Sequence, residues 1–187
     1  MNRNFIFAFI LLATLSMVNA IPLQKRAAQF LPCPISPAPD LLSVKINPDP
    51  PIAGKSESFT ISGKLHEDIT PATLLAIAFG DVSNPPNPLE PPFVMPACGG
   101  KGELSCPVKA GTSFTIKVDS VPVPAFLPPV YGIGVAIGVP TGNPKDPITA
   151  FGCAYTIISN SGATGPSPDS YPIASLVTDT LDAHPTI

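Results

Sequence analysis

The chain has 187 residues, of which only 12% are charged, with 27 Pro and 14 Gly. Pro at that density breaks helices of ordinary length, so a helical bundle is excluded. A mean hydropathy of +0.33 argues against wholesale disorder, and a net charge of -3 with pI 5.2 against a nucleic-acid partner.

The first segment reads as an address. Residues 1–20, MNRNFIFAFILLATLSMVNA, carry Arg3, an apolar run and small residues at Val18 and Ala20. That is the layout of a secretory signal peptide, and the run is short for a membrane span. A retained signal anchor is the alternative. Residues 21–32 form an N-terminal linker or propeptide. Within it, Lys25-Arg26 is either a dibasic processing site or an ordinary charged pair. Cleavage there leaves 7 Lys, no Arg and 13 Asp+Glu, a net of -6. Such acidity disfavours charge-driven binding to an anionic membrane.

All four cysteines, Cys33, Cys98, Cys106 and Cys153, lie beyond the signal. An even count in a secreted chain predicts disulfides. Of the three pairings, Cys98–Cys106 is favoured, because CGGKGELSC is a short Gly-rich loop that closes on itself. Cys33–Cys153 is then left to join the start of the domain to its last strand. A zinc site competes weakly, since neither CxxC nor paired-His spacing is present.

Strand-like alternation follows in chain order. Leu42, Val44 and Ile46 alternate with polar residues, as do Phe59 and Ile61, and then Phe114, Ile116 and Val118. Leu75, Ile77 and Phe79 alternate with alanines, and Tyr131, Ile133, Val135, Ile137 and Val139 with Gly and Ala. ITAFGCAYTII at 148–158 closes the series, and LEPPFVMP is a candidate seventh strand. Turn clusters such as Asn47-Pro48-Asp49-Pro50-Pro51 separate them. The pattern predicts an all-β, antiparallel sandwich over 33–158, followed by a Ser/Gly/Pro-rich flexible tail at 159–187. The glycines of VYGIGVAIGV either let a ligand approach closely or serve tight sheet packing.

No catalytic constellation is legible. His66-Glu67-Asp68 reads as a solvated turn rather than an acid/base cluster. There is no GxSxG, P-loop or HExxH. No enzyme activity and no cofactor or metal are expected.

The stretch 44–70, VKINPDPPIAGKSESFTISGKLHEDIT, resembles the fungal branch of the ML lipid-recognition family. That branch contains phosphatidylglycerol/phosphatidylinositol transfer proteins and is related to Niemann-Pick type C secreted sterol carriers. The resemblance rests on Asn47-Pro48-Asp49-Pro50-Pro51, Gly54-Lys55, Ser62-Gly63-Lys64-Leu65 and Glu67-Asp68-Ile69-Thr70, with Cys33, Cys98, Cys106-Pro107 and Cys153. It covers about residues 33–158. A Pro128-Pro129-Val130-Tyr131 sequence stands where the family has a turn Gly.

The resemblance implies an immunoglobulin-like sandwich with a lipid cavity between its sheets, and the two disulfides favoured above. The expected cavity lining is Phe59, Ile61, Leu75, Ile77, Phe79, Phe114, Ile116, Tyr131, Ile133, Val135, Phe151 and Tyr155, each with ordinary core as its other role. Phe93, Met95, Phe126 and Leu127, in Pro-rich loops, are expected at the cavity mouth. The implied protein is a secreted or vacuolar/endolysosomal monomer. It carries one lipid, sterol or phospholipid, through transient membrane contact. The rival reading is a secreted sandwich acting by protein contact. An apolar hollow between the sheets separates the two, because a close-packed interior favours the rival.

Overall fold

The structure, a computed structural model, describes residues 28–82, 87–99, 104–143 and 146–159. The signal segment, Lys25-Arg26 and the tail beyond Ser159 lie outside the described residues.

Among the described residues, eight strands form two sheets: β1 Asp40–Leu41, β2 Ser43–Asn47, β3 Ser56–Lys64, β4 Leu74–Asp81, β5 Phe93–Pro96, β6 Ser113–Pro122, β7 Val130–Asn143 and β8 Asp146–Ser159. The larger sheet has the order β1-β8-β7-β4-β5, and the smaller β2-β3-β6. Among the described residues there is no helix. The seven expected strands are all present. An eighth, β1, is only two residues long, too short for alternation to reveal.

The sandwich is not wholly antiparallel. β1 pairs in parallel with β8 at Asp40↔Gly152 and Leu41↔Cys153. The chain then leaves the large sheet and enters the small one across a single residue, Leu42, which is buried. Leu42 and Leu65 fill the space that Gly152 leaves on the inner face of β8.

Alternation decides which side chains face inward. In the small sheet, Val44 of β2, Phe59 and Ile61 of β3, and Phe114, Ile116 and Val118 of β6 are buried. In the large sheet, Leu75, Ile77 and Phe79 of β4 lie opposite Ile137, Val135 and Ile133 of β7. Together they form one core.

β6 departs from strict alternation. Glu57 pairs with Val121 but Phe59 pairs with Val118, so two residues, Asp119 and Ser120, oppose the single Ser58. This β-bulge needs a left-handed turn, and Ser120 supplies it at φ 64°. The extra residue restores the phase, so Val121 points inward again beside Val118.

Disulfides join Cys33 to Cys153 and Cys98 to Cys106. The first lies on the outer face of the large sheet, in a second apolar cluster with Ala136 and Tyr155. There Leu31 pairs with Tyr155 through two backbone hydrogen bonds, at 2.7 and 2.9 Å.

Candidate functional site

The expected lining is mostly brought together. Phe59, Ile61, Phe114 and Ile116 from the small sheet face Leu75, Ile77, Phe79, Tyr131, Ile133 and Val135 from the large one, in one apolar cluster. Two expectations need correction. Tyr155 does not face the interior. It pairs with Gly134, and Cys153 with Ala136, so all four sit on the outer face. Ala154, Thr156 and Ile158 hold the inner positions of β8, opposite Val135, Ile133 and Tyr131. Phe151 sits at the β8 bulge between Gly152 and Ala150, half-buried against the main core.

The glycines of β7 share the outer phase, so they do not open the interior to a ligand. Gly138 shows what one of them does: a Cβ there would meet the Thr149 carbonyl oxygen at 2.1 Å. Its role is close packing of β7 on β8.

The hollow expected between the sheets is closed. Ile61, Leu75, Ile116, Ile133, Val135 and Ile137 each expose 0% of their surface. No water-sized void therefore borders any of them. Branched aliphatic side chains from both sheets meet across the middle in one cluster.

Among the described residues, a cleft opens at a seam between the sheets. It is small and open to solvent, and it lies between the β4–β5 edge and the end of β6. Ile77, Phe79 and Phe93 line it on one side, Pro122 and Pro124 on the other, and Glu90-Pro91 at the rim. The sheets share no ladder there. One exposed hydrogen bond crosses between the flanking loops, from the Ala125 amide to Glu90 Oε1 at 3.3 Å.

Phe93 and Met95 are not in a loop, as expected, but on the edge strand β5. They lie opposite Ile77 and Leu75 and pack half-buried on the core. Of the two loop residues, Leu127 packs on the core, whereas Phe126, two residues beyond the cleft-lining Pro124, is 72% exposed.

The polar motifs are structural. The His66 ring bonds to Asp40 through Nδ1, and its backbone amide donates to Asp40 Oδ2 at 2.7 Å. This ties β1 to the turn after β3. Asp68 accepts instead from Lys109 Nζ and from the Ala110 amide, both at 2.8 Å. The Lys109 hydrogen bond holds the Asp68 carboxyl below its ordinary range. His66 and Asp68 thus serve different partners, as a solvated turn would have them.

One residue was not anticipated. Glu57 is 1% exposed, and its carboxylate makes no well-formed hydrogen bond, with only backbone groups of Asn47 and Ser58 in reach. Its strand partner Val121 belongs to the core, so the carboxyl enters the interior on the same side. Burial pushes it up to about 7, with the nearby Asp49 charge adding to the rise and backbone groups of Asn47 and Ser58 opposing it. A sequence signal existed: Glu57 stands two residues before Phe59 and four before Ile61, in phase with the core face.

Comparison with known proteins follows the architecture. No curated protein sequence matches the chain. Among solved structures, chicken MD-1 complexed with lipid IVa is similar at 14% identity and TM-score 0.44, over 70% of this chain and 87% of that one. A calcium-binding mutant of Bacteroides uniformis beta-glucuronidase 2 is similar at 13% identity and TM-score 0.33, over 63% of this chain but only 13% of that one. The ML domain sequence model matches residues 27–154, more than half of the chain and the whole span from the N-terminal linker into β8, so this protein belongs to the ML-domain family.

Proposed function

We propose that the protein binds a single lipid, sterol or phospholipid, between its sheets and transfers it between membranes. Membership of a lipid-recognition family supports this reading. The observation that carries it is the unladdered seam: two apolar inner faces meet without a shared ladder, and a small cleft opens at their edge beside Phe79, Phe93 and Pro122.

A lipid chain in water costs roughly 0.8 kcal/mol per CH₂. Sixteen carbons therefore hold a lipid in its bilayer by on the order of 12 kcal/mol. A carrier offsets that cost by offering apolar side chains in place of water. Because the interior is closed, the chain enters as the seam widens and the ligand replaces contacts between the sheets. The crossover at Leu42 ties the opposite edge covalently, so the β5 and β6 edges are the ones free to separate. No bond is made or broken. Phe126, exposed in the loop after β6, is the membrane-touching residue, and the compartment is secretory, where both disulfides persist.

The close-packed middle favours a second reading, a secreted module acting by protein contact. Native mass spectrometry of the secreted protein, with extraction of bound lipid, separates them. Fluorescent-lipid transfer between vesicles gives the same discrimination in kinetics. Stoichiometric lipid and protein-dependent transfer are expected. A protein that carries no lipid and takes up none offered would sink the carrier reading.

A further inference from the structure

We propose that Glu57 is the polar anchor of the lipid site, selecting a lipid whose head is an uncharged hydroxyl and rejecting one that ends in phosphate. The inference rests on the lipid-binding reading above.

A buried carboxyl with no well-formed hydrogen bond is costly, and native proteins rarely keep one without a use. Here a leucine or valine would satisfy the same strand phase at no such cost. The β6 bulge, with Ser120 in a left-handed conformation, preserves the inward register of Val121 directly opposite Glu57. Pro122, next along β6 from Val121, lines the cleft, which sets Glu57 one ladder position from a residue of the seam. A lipid sliding in at this seam brings its chain among Phe59, Phe79 and Ile133 and its head near Glu57.

The chemistry of the carboxyl narrows the head. In either protonation state it accepts a hydrogen bond, and when protonated it also donates one. A hydroxyl satisfies it in both states while bringing no charge indoors. A phosphate adds a second negative charge beside Glu57 and Asp49. An ammonium must itself be stripped of water, with only one carboxyl to receive its three donors. Fatty alcohols, acylglycerols and sterols all present the hydroxyl.

The test uses matched probes at neutral pH. Binding of pyrenedecanol, its methyl ether, pyrenedecyl phosphate and pyrenedecylamine is measured for the wild type, Glu57→Leu and Glu57→Gln. Dehydroergosterol and its methyl ether run in parallel, to tell a sterol from a chain alcohol.

The wild type is expected to favour an alcohol over its ether and over the phosphate by about tenfold each. Glu57→Leu loses about tenfold on the alcohol and little on the ether. Glu57→Gln, which keeps a donor and an acceptor, stays within about threefold of wild type. Glu57→Leu also melts higher than the wild type by roughly 4 °C or more, because an unsatisfied polar group has gone. Stabilisation with selective loss of alcohol binding is not what a structural role would give.

Equal loss on all probes, or phosphate or amine binding tighter than the alcohol, overturns the anchor while leaving the carrier. A wild type that takes up no probe removes both.

Discussion

Single residues in this protein carry costs that can be measured separately. Ser120 adopts φ 64°, a left-handed conformation that glycine accepts without a Cβ penalty. Ser120→Gly is therefore expected to stabilise the fold by about 0.5–1 kcal/mol in urea unfolding, since the bulge keeps its geometry. Glu57 makes a pH prediction. Its carboxyl rises from 4.5 unfolded to about 7 folded, so the folded state holds this proton more tightly. The stabilisation is complete below pH 4.5 and is lost as pH climbs through 7. The loss is on the order of 3 kcal/mol. Wild-type unfolding free energy minus that of Glu57→Gln should fall by about this much from acid to mildly alkaline pH. A flat difference would show that the carboxyl reaches water when folded. Glu57 reads as one more polar residue in SESFT, which is why its place was missed: alternation gives the phase, but only the bulge opposite shows that the phase holds through position 57.

At the level of elements, the two disulfides differ in reach. Cys33–Cys153 spans 120 residues and Cys98–Cys106 only 8. In the chain-entropy model these loops correspond to roughly 5 and 2.5 kcal/mol. Replacing the Cys33–Cys153 pair by serines should lower the unfolding free energy about twice as much as replacing Cys98–Cys106. Equal losses would mean that Leu31, paired with Tyr155, and β1 hold the β8 edge without the bond. Gly138→Ala places a methyl 2.1 Å from the Thr149 carbonyl. Neither backbone can yield inside the β7–β8 ladder, so a loss of about 2 kcal/mol or more is expected on thermal unfolding. Strand positions were legible because alternation, or in β8 an apolar run, marks every strand but β1. The inner face of β8 was not. Its outer phase carries Cys153, Tyr155 and Ile157, bulkier than the inner Gly152, Ala154 and Thr156. Both faces of this strand are covered, so side-chain size no longer marks which is core.

The whole molecule is a closed clam, with its crossover at Leu42 on one edge and its seam at β5 and β6 on the other. If Phe126 is where it meets a bilayer, Phe126→Asp should slow lipid transfer between vesicles by about tenfold. Because the side chain is 72% exposed, the unfolding midpoint should barely move. Transfer at the wild-type rate would place the membrane contact elsewhere. What the amino-acid order determined by itself was local: where strands run, where prolines end them, and which inner side chains of β3, β4, β6 and β7 are apolar. These follow from a two-residue repeat and from the backbone limits of Pro and Gly, which need no distant partner. Only the tertiary structure decided that Tyr155 lies outside, that the aliphatic middle is filled, that a cleft opens at a seam between two strand edges, and that the Glu57 carboxyl is buried. Each of these depends on which surfaces the two sheets press together, and that is fixed by contacts between residues far apart in the chain.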